Sequence, residues 1–396
     1  MVPPAEDLRV HWTLDPQVVF LNHGSFGACP RSVLAEQDRL RAQVEREPVQ
    51  FFMHALGPLL DAAREEVAAF VGARPEDLVF VRNATAGVNA VLAALPIAAG
   101  DELLTTDHVY GACRNALGHL CQRTGARLVV APVPFPISGP DEVIAAILAA
   151  VTPRTRLALI DHITSPTGLV FPIAEIVAAL HARGVDTLVD GAHGPGMVAL
   201  DLEALGAAYY TGNFHKWCCA PKGAAMLHVR RDRQENLHPS VISHGYTSAS
   251  GRSPLWEEFD WTGTDDPTSW LCVPVAIRWL GQLLPGGWPE LRARNHATLL
   301  AGRDCIAAAL EIPAPAPDDM LGNLAALPLP PGRHAPTSAF HNDPLQRALF
   351  DRHHIEVPVP PWPAPPRRLI RISAQVYNGA ADYEALARAL RVELRG

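Results

Sequence analysis

Lysine is nearly absent from this chain. Among 396 residues only Lys216 and Lys222 occur, against 31 arginines, so arginine supplies the positive charge almost everywhere. A GC-rich genome would depress lysine in this way, but it does not explain two survivors six residues apart in the stretch TGNFHKWCCAPKG. Other shortages narrow the field. The formal net charge is −8, and no basic surplus exists to neutralise phosphates, which excludes a nucleic-acid partner. The seven cysteines are scattered without a CxxC pair, so neither a disulfide framework nor a zinc or other metal site is expected, and a reducing cytoplasm is. No apolar run approaches the roughly 18 residues of a membrane span, so no membrane partner is expected. The opening MVPPAEDLRVHW lacks the apolar core of a signal peptide. No GxGxxG follows the first strands, which counts against dinucleotide binding.

What remains is ample core material, 48% hydrophobic against 19% charged residues, in a chain longer than the roughly 250 to 300 residues at which one core stops growing. From about residue 70 to 229, short apolar runs alternate with helical patterns, as in a parallel sheet covered by helices on both faces. LVFV (78–81), ELLTT (102–106), ARLVVAPV (126–133), TRLALIDHI (155–163) and DTLVDGA (186–192) are expected strands, and AAYYTG and AAMLHV complete the series. Helices are expected over 86–95 and 141–151, and the final ADYEALARALRVEL is an amphipathic helix. The proline-rich segments 327–336 and 358–368 are expected as loops. These features predict a large α/β domain over 51–282 and a smaller α+β domain from 1–50 plus 283–396.

In such a sheet, chemistry collects at the carboxyl ends of the strands, where helix N-termini also point. After LVFV comes RNATAGVN, in which Asn83, Thr85 and Gly87 form a small-residue turn that offers backbone N–H groups to an anion, although Thr85 also suits a plain N-cap. His108 and Tyr110 follow ELLTT, and Thr164 and Ser165 follow TRLALID. Asp190 and His193 end DTLV, and a carboxylate there needs a cation or donor, because burying it bare costs several kcal/mol, as an order of magnitude. The next strand delivers both lysines. Lysine, unlike arginine, loses its proton near neutral pH when desolvated and condenses with aldehydes. Lys216, beside Trp217, is the candidate for that role, and Lys222 belongs to a PKG turn. An anion turn, a carboxylate and a lysine assemble the three requirements of a pyridoxal phosphate site, which are phosphate, pyridine nitrogen and aldehyde.

The set RNATAGVN, VDGAHGPG, NFHKWCCAPKG, FDWTGTDD and RISAQVYN resembles the class V aminotransferase superfamily of fold-type I pyridoxal phosphate enzymes. LNHGSFGACP and VISHGYTS are most similar to its isopenicillin N epimerase-like group. The resemblance runs from residue 21 to 378 and implies a mainly parallel seven-stranded sheet in the large domain. It also implies pyridoxal phosphate as cofactor, an amino-acid substrate and a homodimer with shared sites. Lys216 would bind the cofactor's aldehyde and serve as base, Asp190 would pair with the ring nitrogen, and His193 would lie near the ring hydroxyl. Thr85 with the Ala86 backbone, Asn213 and His215 would hold the phosphate, and Thr264 would reach it from the other subunit. Tyr110, with His108 next, would cover the ring, Ser165 would stand near it, and Arg371 would clamp the substrate carboxylate. His23 either lines the pocket or caps a turn, and His244 has the same two options.

Cysteine desulfurases of the superfamily carry a nucleophilic cysteine before the carboxylate-binding arginine. The segment 351–371 has none, which argues against persulfide chemistry. The expectation is α-proton removal by an epimerase or racemase, with a Cβ–S lyase as alternative and transamination third. A reading from another class is a non-catalytic small-molecule or pyridoxal phosphate binder.

Overall fold

The computed structural model describes residues 4–332 and 343–394. Apolar runs that are buried on both faces dictate the centre of the molecule. β1 (Leu78–Val81), β2 (Glu102–Thr106), β3 (Arg127–Ala131), β4 (Thr155–Asp161), β5 (Asp186–Asp190), β6 (Tyr209–Asn213) and β7 (Ala225–Val229) form one sheet in the order β1-β7-β6-β5-β4-β2-β3. Six strands run parallel, and β7 is antiparallel to both β1 and β6. Nearly every residue of β1, β2, β5, β6 and β7 is buried, which is why these segments read as continuous rather than alternating hydrophobicity.

Two helices matter for the site. α1 (Ala84–Ala94) follows β1, and α2 (Gly111–Thr124) follows β2, so both start at the carboxyl edge of the sheet. α1 lies unusually close to β6. A Cβ on Gly87 would come within 2.4 Å of Thr211 Oγ1, so the absence of a side chain there lets the helix N-terminus approach the strand that delivers Lys216.

The C-terminal third packs α3 (Gly287–Leu310) and α4 (Ala380–Glu393) against each other and beside an antiparallel pair, β8 (Leu324–Leu329) and β9 (Arg368–Ser373). The proline-rich segment expected as a loop over 327–336 begins inside β8, with Pro328 opposite Leu369. Proline is tolerated because a two-stranded sheet has only edge strands, where the missing N–H can face away from the ladder. Residues 333–336 lie outside the described residues. Helix α1 starts two residues earlier than the apolar pattern suggests, because Asn83 caps it.

Candidate active site

A cavity of about 540 Å³ opens at the carboxyl edge of the sheet. Its wall is drawn from the β1–α1 turn (Arg82 to Thr85), Tyr110 before α2, Asp161 ending β4 with Ser165 beyond it, Asp190 ending β5 with His193 beyond it, and Asn213 ending β6 with His215 and Lys216 beyond it. Ser25 and Phe26 close it from the N-terminal segment.

At the anion end, Asn83 Oδ1 accepts the Ala86 N–H at 2.9 Å, and Asn213 Oδ1 accepts the Ala84 N–H at 2.9 Å. Two side chains therefore satisfy part of the helix N-terminus in this structure, and the Ala86 amide expected to bind phosphate is engaged by the cap. Thr85 faces the cavity and is not the cap. Asn213 thus holds the helix through its oxygen and keeps its amide nitrogen as a donor. His215 Nδ1 lies 3.3 Å from Ala224 O, and burial lowers its pKa to about 4. Arg82, which lines the same end and is ion-paired with Asp265, is missing from the expected site. Its position in RNATAGVN, one residue before the cap, is the available signal.

On the floor, Asp190 is 2% exposed. Its Oδ1 accepts the Ala192 N–H at 3.0 Å and its Oδ2 the Cys113 thiol at 3.1 Å. Burial, then Asp190, raises the pKa of Cys113 far enough to keep it a thiol donor. Beside Asp190 stands Asp161, also 2% exposed. Sequence reasoning passes over it, although it ends an apolar strand just as Asp190 does and the same burial argument applies.

Lys216 reaches the cavity in a tight turn after β6. Its Nζ lies 3.1 Å from His193 Nε2, and the Trp217 indole Nε1–H donates to His193 Nδ1 at 3.2 Å. Indole nitrogen is only a donor, so Nδ1 is the acceptor and the hydrogen of the neutral ring sits on Nε2. Burial keeps His193 neutral by lowering its pKa well below the usual value. The Nε2–H then points at the Lys216 nitrogen and needs its lone pair, an arrangement that only the free amine satisfies. Burial first and the Arg371 charge second bring the Lys216 pKa down to about 8.

The backbone beneath Lys216 is equally constrained. His23 is fully buried, with Nε2 2.9 Å from Lys216 O and Nδ1 2.6 Å from the Tyr377 hydroxyl. His23 therefore does not line the cavity; it donates to the Lys216 carbonyl, and burial lowers its pKa to about 3, so it stays neutral. Cys219 N–H also donates to Lys216 O at 3.0 Å, closing the turn with Cys219 at φ 54. Gly27, at φ 70, presses on this turn; a Cβ there would lie 1.9 Å from His215 O. Lys222 donates to Gly27 O at 3.1 Å, so the second lysine fastens the loop beside the first.

Arg371, on β9, brings the small sheet to the cavity. Nη1 donates to Ser165 O at 2.6 Å and Oγ at 3.1 Å, Nη2 donates to Ser25 Oγ at 3.0 Å, and buried Nε has no partner among the described residues. Burial lowers its pKa to about 10, and the group remains a cation at neutral pH. Ser165 serves Arg371 here. Tyr110, 46% exposed, stands at the cavity wall. His108, its expected understudy, does not: it is fully buried, with Nδ1 2.7 Å from Thr167 Oγ1, Nε2 3.0 Å from Val133 O and its ring against Trp362. His244 lines a separate cavity of about 580 Å³ with Phe52, Met53 and Trp261. Thr264 is exposed and lines neither of these cavities within its own chain.

The residues present fit pyridoxal phosphate. The Lys216 amine would take an aldehyde, a capped helix N-terminus with Thr85 and His215 would take a phosphate, and Asp190 with the unpartnered Asp161 Oδ2 would take a ring nitrogen. Comparison with known proteins agrees. The family model "Aminotransferase class-V" matches residues 23–287. An isopenicillin N epimerase from Amycolatopsis lactamdurans is 37% identical over 397 residues, spanning 97% of both chains. A putative L-cysteine desulfhydrase from Oryza sativa subsp. japonica is 34% identical, covering 93% of this chain and 82% of that one. The solved structure of C-DES with glycine covalently linked to its PLP cofactor superposes with a TM-score of 0.81 at 21% identity, covering 97% of this chain and 98% of the other. With its lysine, carboxylates and capped helix gathered at one sheet edge, this chain belongs to the class-V aminotransferase family of pyridoxal phosphate enzymes.

Proposed function

We propose that this protein removes the α-proton of an amino acid or amino-acid derivative and delivers another from the opposite face, as an epimerase or racemase. The observation that carries this reading is the Lys216 amine, 3.1 Å from the neutral His193 ring, in a cavity whose wall residues Ser165 and Ser25 are held by Arg371 of β9. Bound pyridoxal phosphate supplies an electron sink for the α-carbanion. Arg371 binds the substrate carboxylate through its Nε and Nη2 edge, exchanging the Ser25 contact for a charge-assisted pair. Lys216 takes the α-proton, and its pKa of about 8 keeps a usable fraction of free amine near neutral pH. Asp190 holds the ring nitrogen, and His193 orients the lysine and the ring hydroxyl. Thr85, His215 and the amide nitrogen of Asn213 hold the phosphate.

Epimerisation needs a second donor facing Lys216. Of Tyr110, His23 and His244, only Tyr110 lines this cavity, so we assign it that role. The large apolar groups left exposed by one chain, Phe26 at the cavity mouth together with Met53 and Tyr246, suit a homodimer. In that dimer Thr264 completes the partner's phosphate site. All seven cysteines are free thiols, which suits the cytoplasm. We keep the division into domains at 51–282, with 1–50 plus 283–396, a reading supported by the seven-stranded sheet falling within the first range and both two-stranded sheets within the second.

The desulfhydrase relatives favour a second reading, Cβ–S lysis, which needs the same base and no second donor. A panel of amino acids in deuterated water separates the two. Deuterium entering the α-position with inversion supports the first reading, and pyruvate with sulfide supports the second. Neither exchange nor elimination with any substrate would remove both.

A further inference from the structure

Two carboxylates, rather than one, close the floor of the cavity. Asp161 ends β4 and Asp190 ends β5, and they are register partners on parallel neighbours, so both side chains leave the same face of the sheet about 5 Å apart at the backbone. Asp190 has its donors, Ala192 N–H to Oδ1 and the Cys113 thiol to Oδ2. Asp161 Oδ2 is buried, faces the same cavity and has no hydrogen-bond partner among the described residues. The titratable groups around Asp161 are Asp190, Cys113 and Lys216, with a backbone hydrogen bond from Tyr110. Two anions side by side in so little solvent repel strongly, and one of them takes a proton. Burial first and Asp190 second push the Asp161 carboxyl well above the usual carboxylate range, so the proton sits there.

We propose that Asp161 is a neutral carboxylic acid that hands its proton to the ring nitrogen of pyridoxal phosphate when the cofactor docks. The O–H bond of Asp161 breaks and an N–H bond forms, leaving a ring cation between two carboxylates. No proton is drawn from solvent for this step, and net charge is unchanged. The inference rests on the cofactor reading above and assigns the source of the proton that makes the ring an electron sink.

The test uses the apo-protein, pyridoxal phosphate and titration calorimetry in buffers of different ionisation heat, at a pH where the free cofactor's nitrogen is unprotonated. Asp161→Asn should take up about one more proton per cofactor than the wild type, because the variant has none to give. Equal proton counts overturn the proposal. If the wild type itself binds no cofactor, the cofactor reading has failed instead, so the two failures are distinguishable.

A second measurement needs no cofactor. A carboxyl whose folded-state pKa is raised keeps its proton in the folded chain after the unfolded chain has lost it, so stability falls as pH rises from the ordinary carboxylate value to the raised one. Asp161→Asn keeps the shape and neutrality of the acid, and its apo-protein should fold and lose that downward slope. An unchanged slope, or failure of the variant to fold, overturns the neutral-acid assignment.

Discussion

Replacing Trp217 with phenylalanine should slow capture of the cofactor by releasing the tautomer of His193 while leaving every side chain assigned to the cofactor in the sequence. At about pH 7.5 an ordinary lysine is free amine in roughly one molecule in a thousand, whereas a pKa of about 8 leaves roughly one in four. Part of that difference is burial, which the variant keeps. The Arg371 charge contributes too and is also kept, and the His193 tautomer, fixed by the indole N–H at 3.2 Å, acts on top of both. Without the indole, His193 is free to carry its hydrogen on Nδ1, and Nε2 then accepts from the Lys216 ammonium instead of donating to the amine. A hydrogen bond to a charged group contributes about 1.5 to 3 kcal/mol, which converts to roughly one to two pKa units in favour of the ammonium. The midpoint for capture should rise from about 8 towards 9 or 10. At about pH 7.5, capture should slow by roughly 10- to 100-fold. Stopped-flow absorbance of the protein-bound Schiff base, followed from pH 6 to pH 11 as an approximate range, reads that midpoint directly. A variant that folds, binds the cofactor and keeps its midpoint at about 8 would refute the tautomer argument.

Other outcomes follow from the same geometry. Arg371→Lys keeps the charge but loses the planar fork, so KM for the amino acid should rise by roughly 10-fold or more with a smaller change in kcat; an unchanged KM would remove Arg371 from the substrate site. Gly27→Ala places a methyl 1.9 Å from His215 O at a left-handed φ, so unfolding stability should drop by about 2 to 4 kcal/mol in denaturant titration. His108→Leu should lower thermal stability through the lost Thr167 and Val133 contacts yet leave the cofactor's visible band intact.

The large sheet is legible in the sequence because its strands are buried on both faces, and short apolar runs alternating with helical patterns point to little else. ELLTT matches its strand to the residue, while β4 ends two residues before the expected boundary, at Asp161. Asp161 closes TRLALID as Asp190 closes DTLVD, and only the register of the two neighbouring strands shows that the carboxylates lie side by side. β8 escapes the sequence because proline signals a loop in any sheet interior, and only the topology reveals that both strands of that sheet are edges. Within the site, Lys216, Asp190, His193, Thr85, Tyr110, Asn213 and His215 come together as the chain order suggests. His108 and Tyr110 lie two residues apart on one short segment, and the segment's twist, which no periodicity encodes, sends the tyrosine to the cavity and the histidine to the core. His23 belongs to a network that spans more than 350 residues of sequence, from Tyr377 to the Lys216 carbonyl, and pairings at such distance leave no local signature.

The central claim is that one lysine of two carries the cofactor. Reducing the holo-protein with borohydride locks any lysine-bound pyridoxyl group in place, and peptide mass mapping then reports its position, a binary outcome in a chain with only Lys216 and Lys222. The label is expected on Lys216, with trypsin cleavage blocked after that residue and intact after Lys222. A label on Lys222, or none on either, would contradict it.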